Sequence, residues 1–114
     1  MSDTLPIRPV GPDVCVAPQL TPEAMAEAAR AGFRSVINNR PDFEHDPQQP
    51  TNAVIEAAAR AAGLEYRFLP VDSAHQSPEE IAAFARLLKE LPRPILAFCR
   101  SGARSTRLYM AATS

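Results

Sequence analysis

The stretch Ile95-Leu96-Ala97-Phe98-Cys99-Arg100-Ser101-Gly102-Ala103-Arg104-Ser105-Thr106 decides how this chain is read. Its first four residues form an uninterrupted apolar run, the pattern of a buried strand. Leu108-Tyr109-Met110-Ala111-Ala112, just beyond it, reads as the start of a helix. A cysteine therefore stands at the carboxyl end of a strand, and a short loop leads from it into a helix N-terminus. Open backbone N–H groups and the positive end of the helix dipole attract an anion there. They also favour thiolate over thiol. Arg100, Arg104 and Arg107 add positive charge nearby. The stretch predicts a Cys99 thiolate at the bottom of an anion-binding cradle, suited to nucleophilic chemistry.

The chain leading to this strand alternates between two kinds of pattern. Residues 1–13 are rich in Pro and Gly and read as an extended arm. Val14-Cys15-Val16-Ala17 is a short strand, and Thr21-Pro22 opens an Ala-rich helix over 22–31 that Gly32 stops. Phe33–Asn38 reads as a second strand. Residues 41–50 hold three prolines and three acids and read as a loop. An Ala-rich helix follows over 52–62, ended by Gly63, and then a third strand over Leu64–Leu69. Residues 70–76 form a second loop. Ser77-Pro78-Glu79-Glu80 is a capping box with Pro at the first helical position. Ile81, Phe84, Leu87, Leu88 and Leu91 lie on one face of the helix it starts, which Pro92 and Pro94 terminate.

Strand and helix thus alternate up to the cysteine stretch. The pattern predicts an α/β fold: a mostly parallel sheet of about four to five strands, flanked by helices, with right-handed crossovers. Ligands bind beyond the carboxyl ends of such strands. Loops 39–50, 70–76 and 99–105 are expected to share that face, bringing Arg40, Asp42, His45, Asp72 and His75 toward Cys99.

Composition narrows the possibilities. At 114 residues the chain is expected to be one domain, 1–114, burying roughly 65% of its unfolded surface. A net charge of −1 gives no general case for nucleic acid or an anionic membrane as partner. No apolar run approaches the roughly 20 residues of a membrane span. Met1-Ser2-Asp3-Thr4 has neither the basic start nor the apolar run of a signal peptide. Two cysteines make no disulfide framework, and the expected compartment is the reducing cytoplasm. His45, His75 and the nearby acids lack metal-ligand spacing, so neither metal nor cofactor is expected.

The cysteine loop resembles two families. Protein tyrosine and dual-specificity phosphatases carry Cys, five residues, then Arg, usually with His before the Cys. Rhodanese-type sulfurtransferases often carry Cys-Arg-Ser-Gly-x-Arg-Ser, with four residues between Cys and Arg. Here Arg104 follows Cys99 by the shorter spacing, and Phe98 stands in the His position. A shorter loop makes a tighter ring of N–H groups, better matched to one sulfur of a persulfide than to a phosphate.

A wider match adds to this. Gln19-Leu20-Thr21-Pro22-Glu23, Ala31–Asp42, Leu69-Pro70-Val71-Asp72 and Cys99–Ser105 resemble the beta-lactamase-hydrolase-like protein, phosphatase-like domain family. The resemblance covers roughly residues 5 to 112 and implies a dual-specificity-phosphatase-like fold with the shorter Cys loop. It also implies a domain that occurs alone or joined to a persulfide dioxygenase. Members are described both as phosphatases and as sulfurtransferases.

The candidate site follows. Cys99 is the nucleophile, against the alternative of an inert buried cysteine. Arg104 is expected to bind the anion or screen transition-state charge, the alternative being an arginine paired with an acid. Arg100, Ser101, Gly102, Ala103 and Ser105 complete the binding loop. Ser105 either donates to the Cys99 sulfur or caps the last helix. Arg40 is expected to line the pocket. Asp72 lies where dual-specificity phosphatases place their general acid, and it is equally a good turn residue. His75 is the substitute acid. Cys15 reads as core, with a resolving-thiol role as the alternative.

Three functions remain, in this order. The first is a sulfurtransferase that carries a sulfane sulfur as a Cys99 persulfide, from a small-molecule donor to a thiol acceptor. The second is a phosphomonoesterase working through phospho-Cys99, with Asp72 as acid. The third is a non-catalytic anion-binding module.

Overall fold

A computed structural model describes residues 5–114; Met1-Ser2-Asp3-Thr4, the segment judged above as no leader, lie outside the described residues. The elements run β1 (Arg8–Gly11), β2 (Val14–Ala17), α1 (Glu23–Arg30), β3 (Ser35–Asn38), α2 (Asn52–Ala61), β4 (Glu65–Phe68), α3 (Pro78–Glu90), β5 (Ile95–Phe98) and α4 (Ala103–Thr113). They build one five-stranded sheet in the order β1-β2-β5-β3-β4.

β5 is the central strand, and its sequence explains why. All four of its residues are buried. Successive strand side chains point to opposite faces. Leu96 and Phe98 enter the core beneath α1 and α2, with Met25, Ala28, Ile55 and Ala59. Ile95 and Ala97 enter the other core, beneath α3 and α4, with Phe84, Leu88 and Leu108. A strand covered on both faces reads as a continuous apolar run rather than an alternating one. Helix ends are built as their sequences indicate. Ser77 and Glu80 form the reciprocal capping box of α3, and Thr51 caps α2 through the Val54 amide. The Thr21 hydroxyl accepts from the Ala24 amide at the start of α1.

Two expectations need correction. The arm over 1–13 contains β1, which pairs antiparallel with β2. The sheet is therefore mixed, with β1 on its edge and only β2, β5, β3 and β4 mutually parallel. Pro9 lacks an N–H and suits an edge strand. Gly11 leaves room for α4, since a Cβ there would run into the Tyr109 ring. The final helix also begins earlier than its apolar residues suggest, at Ala103 rather than near Leu108.

The register of the parallel strands positions the site. Ala17, Asn38 and Phe98 are level across β2, β3 and β5, and Asn38 is level with Phe68 of β4. The residues that follow these strands therefore emerge in one row. Cys99 leaves the middle of it, beside Asn39 on one side and Pro18 on the other. No described helix is long and apolar enough to cross a membrane.

Candidate active site

The loop after β5 closes on its own sulfur. The Gly102 amide donates to Cys99 Sγ at 3.0 Å. Gly102 has φ +93°, the left-handed region, and its α-carbon faces the backbone of Ala17. A side chain there would combine a strained φ with a contact of 3.4 Å to the Ala17 carbonyl carbon. Glycine is what lets the chain turn so that this amide faces back toward the thiol. Gly102 is also the N-cap of α4, so the sulfur sits at the positive end of that helix. Cys99 is buried, with 1% of its surface exposed. Its own amide donates to Ala17 O, and the Arg100 carbonyl accepts from the Gln19 amide, which ties the loop to the end of β2.

Arg104 falls on the first turn of α4 and is buried. Its Nη1 donates to the carbonyls of Asn39 and Val71, at 3.2 and 2.9 Å. Its Nη2 pairs with Glu44 Oε1 at 2.9 Å. Its Nε is buried without a partner among the described residues. Arg104 thus fastens the three strand-end loops together, as well as forming part of a pocket wall. Arg40, by contrast, is buried beside the pocket. Its Nε pairs with Glu44 Oε1 at 3.2 Å, its Nη1 donates to Gln19 Oε1, and its Nη2 donates to the Glu44 carbonyl.

Glu44 is the shared partner of both arginines, and nothing local in the sequence singles it out. Gln49 shapes its loop by accepting from the Glu44 amide and donating to the Pro41 carbonyl. Burial pushes the Glu44 carboxyl up, but hydrogen bonds and charge from Arg104 and Arg40 outweigh it and hold the group below its ordinary value of 4.5. Its sign as a stability effect follows. Unfolded Glu44 takes up its proton first as pH falls, so the stabilisation is complete above about pH 4.5 and is lost as pH drops through the lower, folded value. We expect the stability difference between the native chain and Glu44→Gln to shrink below pH 4.5 in urea titrations; a difference that stays constant down to pH 3 contradicts this.

The neighbouring asparagines complete the frame. Ser105 donates to Asn39 Oδ1 at 2.8 Å, so its hydroxyl serves neither the Cys99 sulfur nor the helix cap. Asn39 Nδ2 donates to the Leu69 carbonyl. Asn38 donates to the Tyr66 hydroxyl and accepts from the Arg40 amide. Tyr66 in turn donates to Asn52. Burial pushes the Tyr66 phenol up to about 12; the Asn38 hydrogen bond opposes this, and the charges of Glu56 and Asp42 add to it.

Around this frame opens a pocket of about 460 Å³, lined by Glu44, His45, Ser73, Arg100, Ser101 and Arg104. All three expected loops contribute. Arg100 and Ser101 are exposed, and the Ser101 hydroxyl accepts from the Ala103 amide. Asp72 is exposed beside Ser73, with Oδ1 accepting from the Ala74 amide. Asp42 accepts from the Asn52 amide at the start of α2, and His75 is exposed. Arg107 reaches the Ser73 carbonyl, fixing the second loop to α4. Cys15 lies half-buried in β2, and burial pushes its thiol up. No group of three metal-ligating side chains occurs among the described residues.

The family described as "Beta-lactamase hydrolase-like protein, phosphatase-like domain" matches residues 6–114. A beta-lactamase hydrolase-like protein of Xylella fastidiosa is 46% identical over 81 residues, which is 71% of this chain and 19% of that protein. The chain thus spans about a fifth of its curated relative's length. A crystal structure from Neisseria meningitidis, described as a "putative phosphatase", is 29% identical, with a TM-score of 0.85 over 93% of this chain and 75% of that one. A second so described, from Shewanella putrefaciens, shares the fold with a TM-score of 0.82 at 19% identity, over 97% and 72% of the two chains.

These likenesses overturn the expectation of a sulfurtransferase, and they lend no support to the sulfur donor, thiol acceptor or persulfide dioxygenase partner. The physical reason lies in Arg104. The four-residue spacing places it on the first turn of α4, turned to the Asn39 and Val71 carbonyls. The spacing therefore sets where the arginine goes, not which atom the loop transfers. With a cysteine under a helix N-terminus, on a sheet of this order, the chain belongs to the beta-lactamase hydrolase-like protein, phosphatase-like domain family.

Proposed function

We propose that this protein is a phosphomonoesterase working through a phospho-Cys99 intermediate. The observation that carries the reading is the Gly102 amide on Cys99 Sγ, at the N-terminus of α4 and beside a pocket lined by two arginines. In the first step the Cys99 thiolate attacks phosphorus. The S–P bond forms as the ester P–O bond breaks, and the electron pair leaves on the ester oxygen. That oxygen takes a proton from a general acid and departs as an alcohol. In the second step water attacks phosphorus, its proton passes to the same group acting as base, and the thiolate leaves with its electron pair. Loop amides and the helix end meet the charge on the phosphoryl oxygens. Arg100, exposed on the pocket wall, is the arginine with reach to a substrate phosphate, while Arg104 holds the loops in place.

Asp72 is the assigned acid, supported by its exposed position next to Ser73 on the pocket wall. Glu44 is unsuited, because Arg104 and Arg40 hold it ionised. General acids contribute about 10²–10⁴-fold where the leaving group is poor. Asp72→Asn is therefore expected to slow an alkyl phosphate by about 10²-fold or more, and p-nitrophenyl phosphate much less, since nitrophenolate leaves unaided. Equal effects on the two esters in steady-state assays contradict the assignment.

A further inference from the structure

We infer that the pocket is built for a phosphomonoester carried on an uncharged, hydroxyl-rich aliphatic body, a sugar or polyol monophosphate. The inference rests on the phosphatase reading and goes on to name its substrate class. Three features of the pocket carry it.

The first is the character of the walls. Glu44, His45, Ser73, Arg100, Ser101 and Arg104 are all polar or charged. An aryl ester gains binding energy by burying its ring against aliphatic side chains or large aromatic rings, and no aliphatic, Phe, Tyr or Trp side chain is among the lining residues. Phe43 sits next to Glu44 in sequence but is 70% exposed and is not among the lining residues. The loop's aromatic residue therefore makes no platform for a phenyl ring.

The second feature is the carboxylate. Arg40 and Arg104 both contact Glu44 through Oε1, at 3.2 and 2.9 Å. Among the described residues no hydrogen bond reaches Oε2, yet Glu44 lines the pocket. The group is ionised, so its second oxygen only accepts. A substrate hydroxyl satisfies it. A second phosphate or a substrate carboxylate meets repulsion there.

The third feature is the division of labour between the arginines. Arg104 has both terminal nitrogens committed to Asn39, Val71 and Glu44. Arg100 is the exposed guanidinium on the wall. One available arginine and one carboxylate facing the same space fit one phosphate and a neutral polar body. They do not fit a polyanion.

The experiment compares kcat/KM of the native chain on glucitol 6-phosphate, a phosphotyrosine peptide and fructose 1,6-bisphosphate. p-Nitrophenyl phosphate serves as the reporter of basic phosphatase chemistry. The polyol monophosphate is expected to exceed each of the other two physiological-type esters by about tenfold or more, since a site with polar walls discriminates through hydroxyl contacts. In Glu44→Gln, which keeps an oxygen for the two arginines, the penalty against the bisphosphate is expected to shrink by about tenfold. A phosphotyrosine peptide or bisphosphate turned over as well as the polyol ester overturns this inference and leaves the phosphatase reading standing. A bisphosphate penalty unchanged in a folded Glu44→Gln also overturns it, and the native-chain comparison decides alone if that variant does not fold. Absence of Cys99-dependent release from p-nitrophenyl phosphate and the polyol ester alike removes both readings.

Discussion

Cys99→Ser is expected to lower phosphate release from p-nitrophenyl phosphate by about 10³-fold or more, with the fold intact. A serine hydroxyl is almost wholly protonated near neutral pH, and among the described residues no basic side chain hydrogen-bonds the Cys99 side chain, whereas a thiolate is itself the nucleophile. The Gly102 amide, which donates to the sulfur at 3.0 Å, finds a hydroxyl acceptor in the variant, so that amide keeps a partner. Stability should therefore stay within about 1 kcal/mol of the native chain. Steady-state kinetics beside urea unfolding check both halves. Retention of most activity in a folded Cys99→Ser contradicts the assignment of the nucleophile.

The second large effect concerns Arg104, and it is expected in stability. Arg104→Ala removes the guanidinium that serves the carbonyls of Asn39 and Val71 and the carboxylate of Glu44. The Arg104 and Glu44 side chains are only 4% and 12% exposed. Deleting one partner of such a pair leaves a nearly buried charge and unpaired acceptors, a loss of about 3–5 kcal/mol. Arg40 still pairs with Glu44, which places the expectation at the lower end. Arg104→Lys should recover only part of it, because an ammonium cannot reproduce the planar fork that spans several acceptors. Arg100→Ala, at an exposed position, should stay within about 0.5 kcal/mol. Urea unfolding of the three variants checks this ranking. An Arg104→Ala as stable as Arg100→Ala refutes the fastening role.

Much of this fold was legible in the residues. The all-apolar Ile95–Phe98 run announces a strand covered on both faces, and it occupies the sheet centre. Ser77 and Glu80 declare the start of α3 because capping is a local interaction between residues three apart. β1 was not legible. Pro9 and Gly11 argue against a strand on propensity, and only pairing with β2 makes one. The start of α4 was missed for a related reason. Ala103–Arg107 carry no apolar face of the usual kind, since Arg104 and Ser105 are the buried residues there.

The meeting of the three loops was legible, but their wiring was not. Alternating strands and helices brought the three loops together, as β2, β3, β4 and β5 end in one row. Glu44 went unread because it is one acid of three in a proline-rich loop, and its partner Arg104 lies 60 residues away. Two buried arginines converging on one loop imply a buried acid, but only the packing says which one. In sequence Ser105 suits either a donor to the sulfur or a cap of the last helix, and Asn39 takes its hydrogen instead. Loop spacing measures distance along the chain, whereas the chemistry depends on where each side chain turns.

The central claim is that phosphorus passes through the Cys99 sulfur. The most direct test is rapid quenching of the native chain during turnover of p-nitrophenyl phosphate, followed by peptide mass mapping under acid. The expected result is one phosphoryl group on the peptide carrying Cys99, formed in step with the nitrophenolate burst and absent from Cys99→Ser. Phosphate released while that peptide stays unmodified through the burst contradicts it.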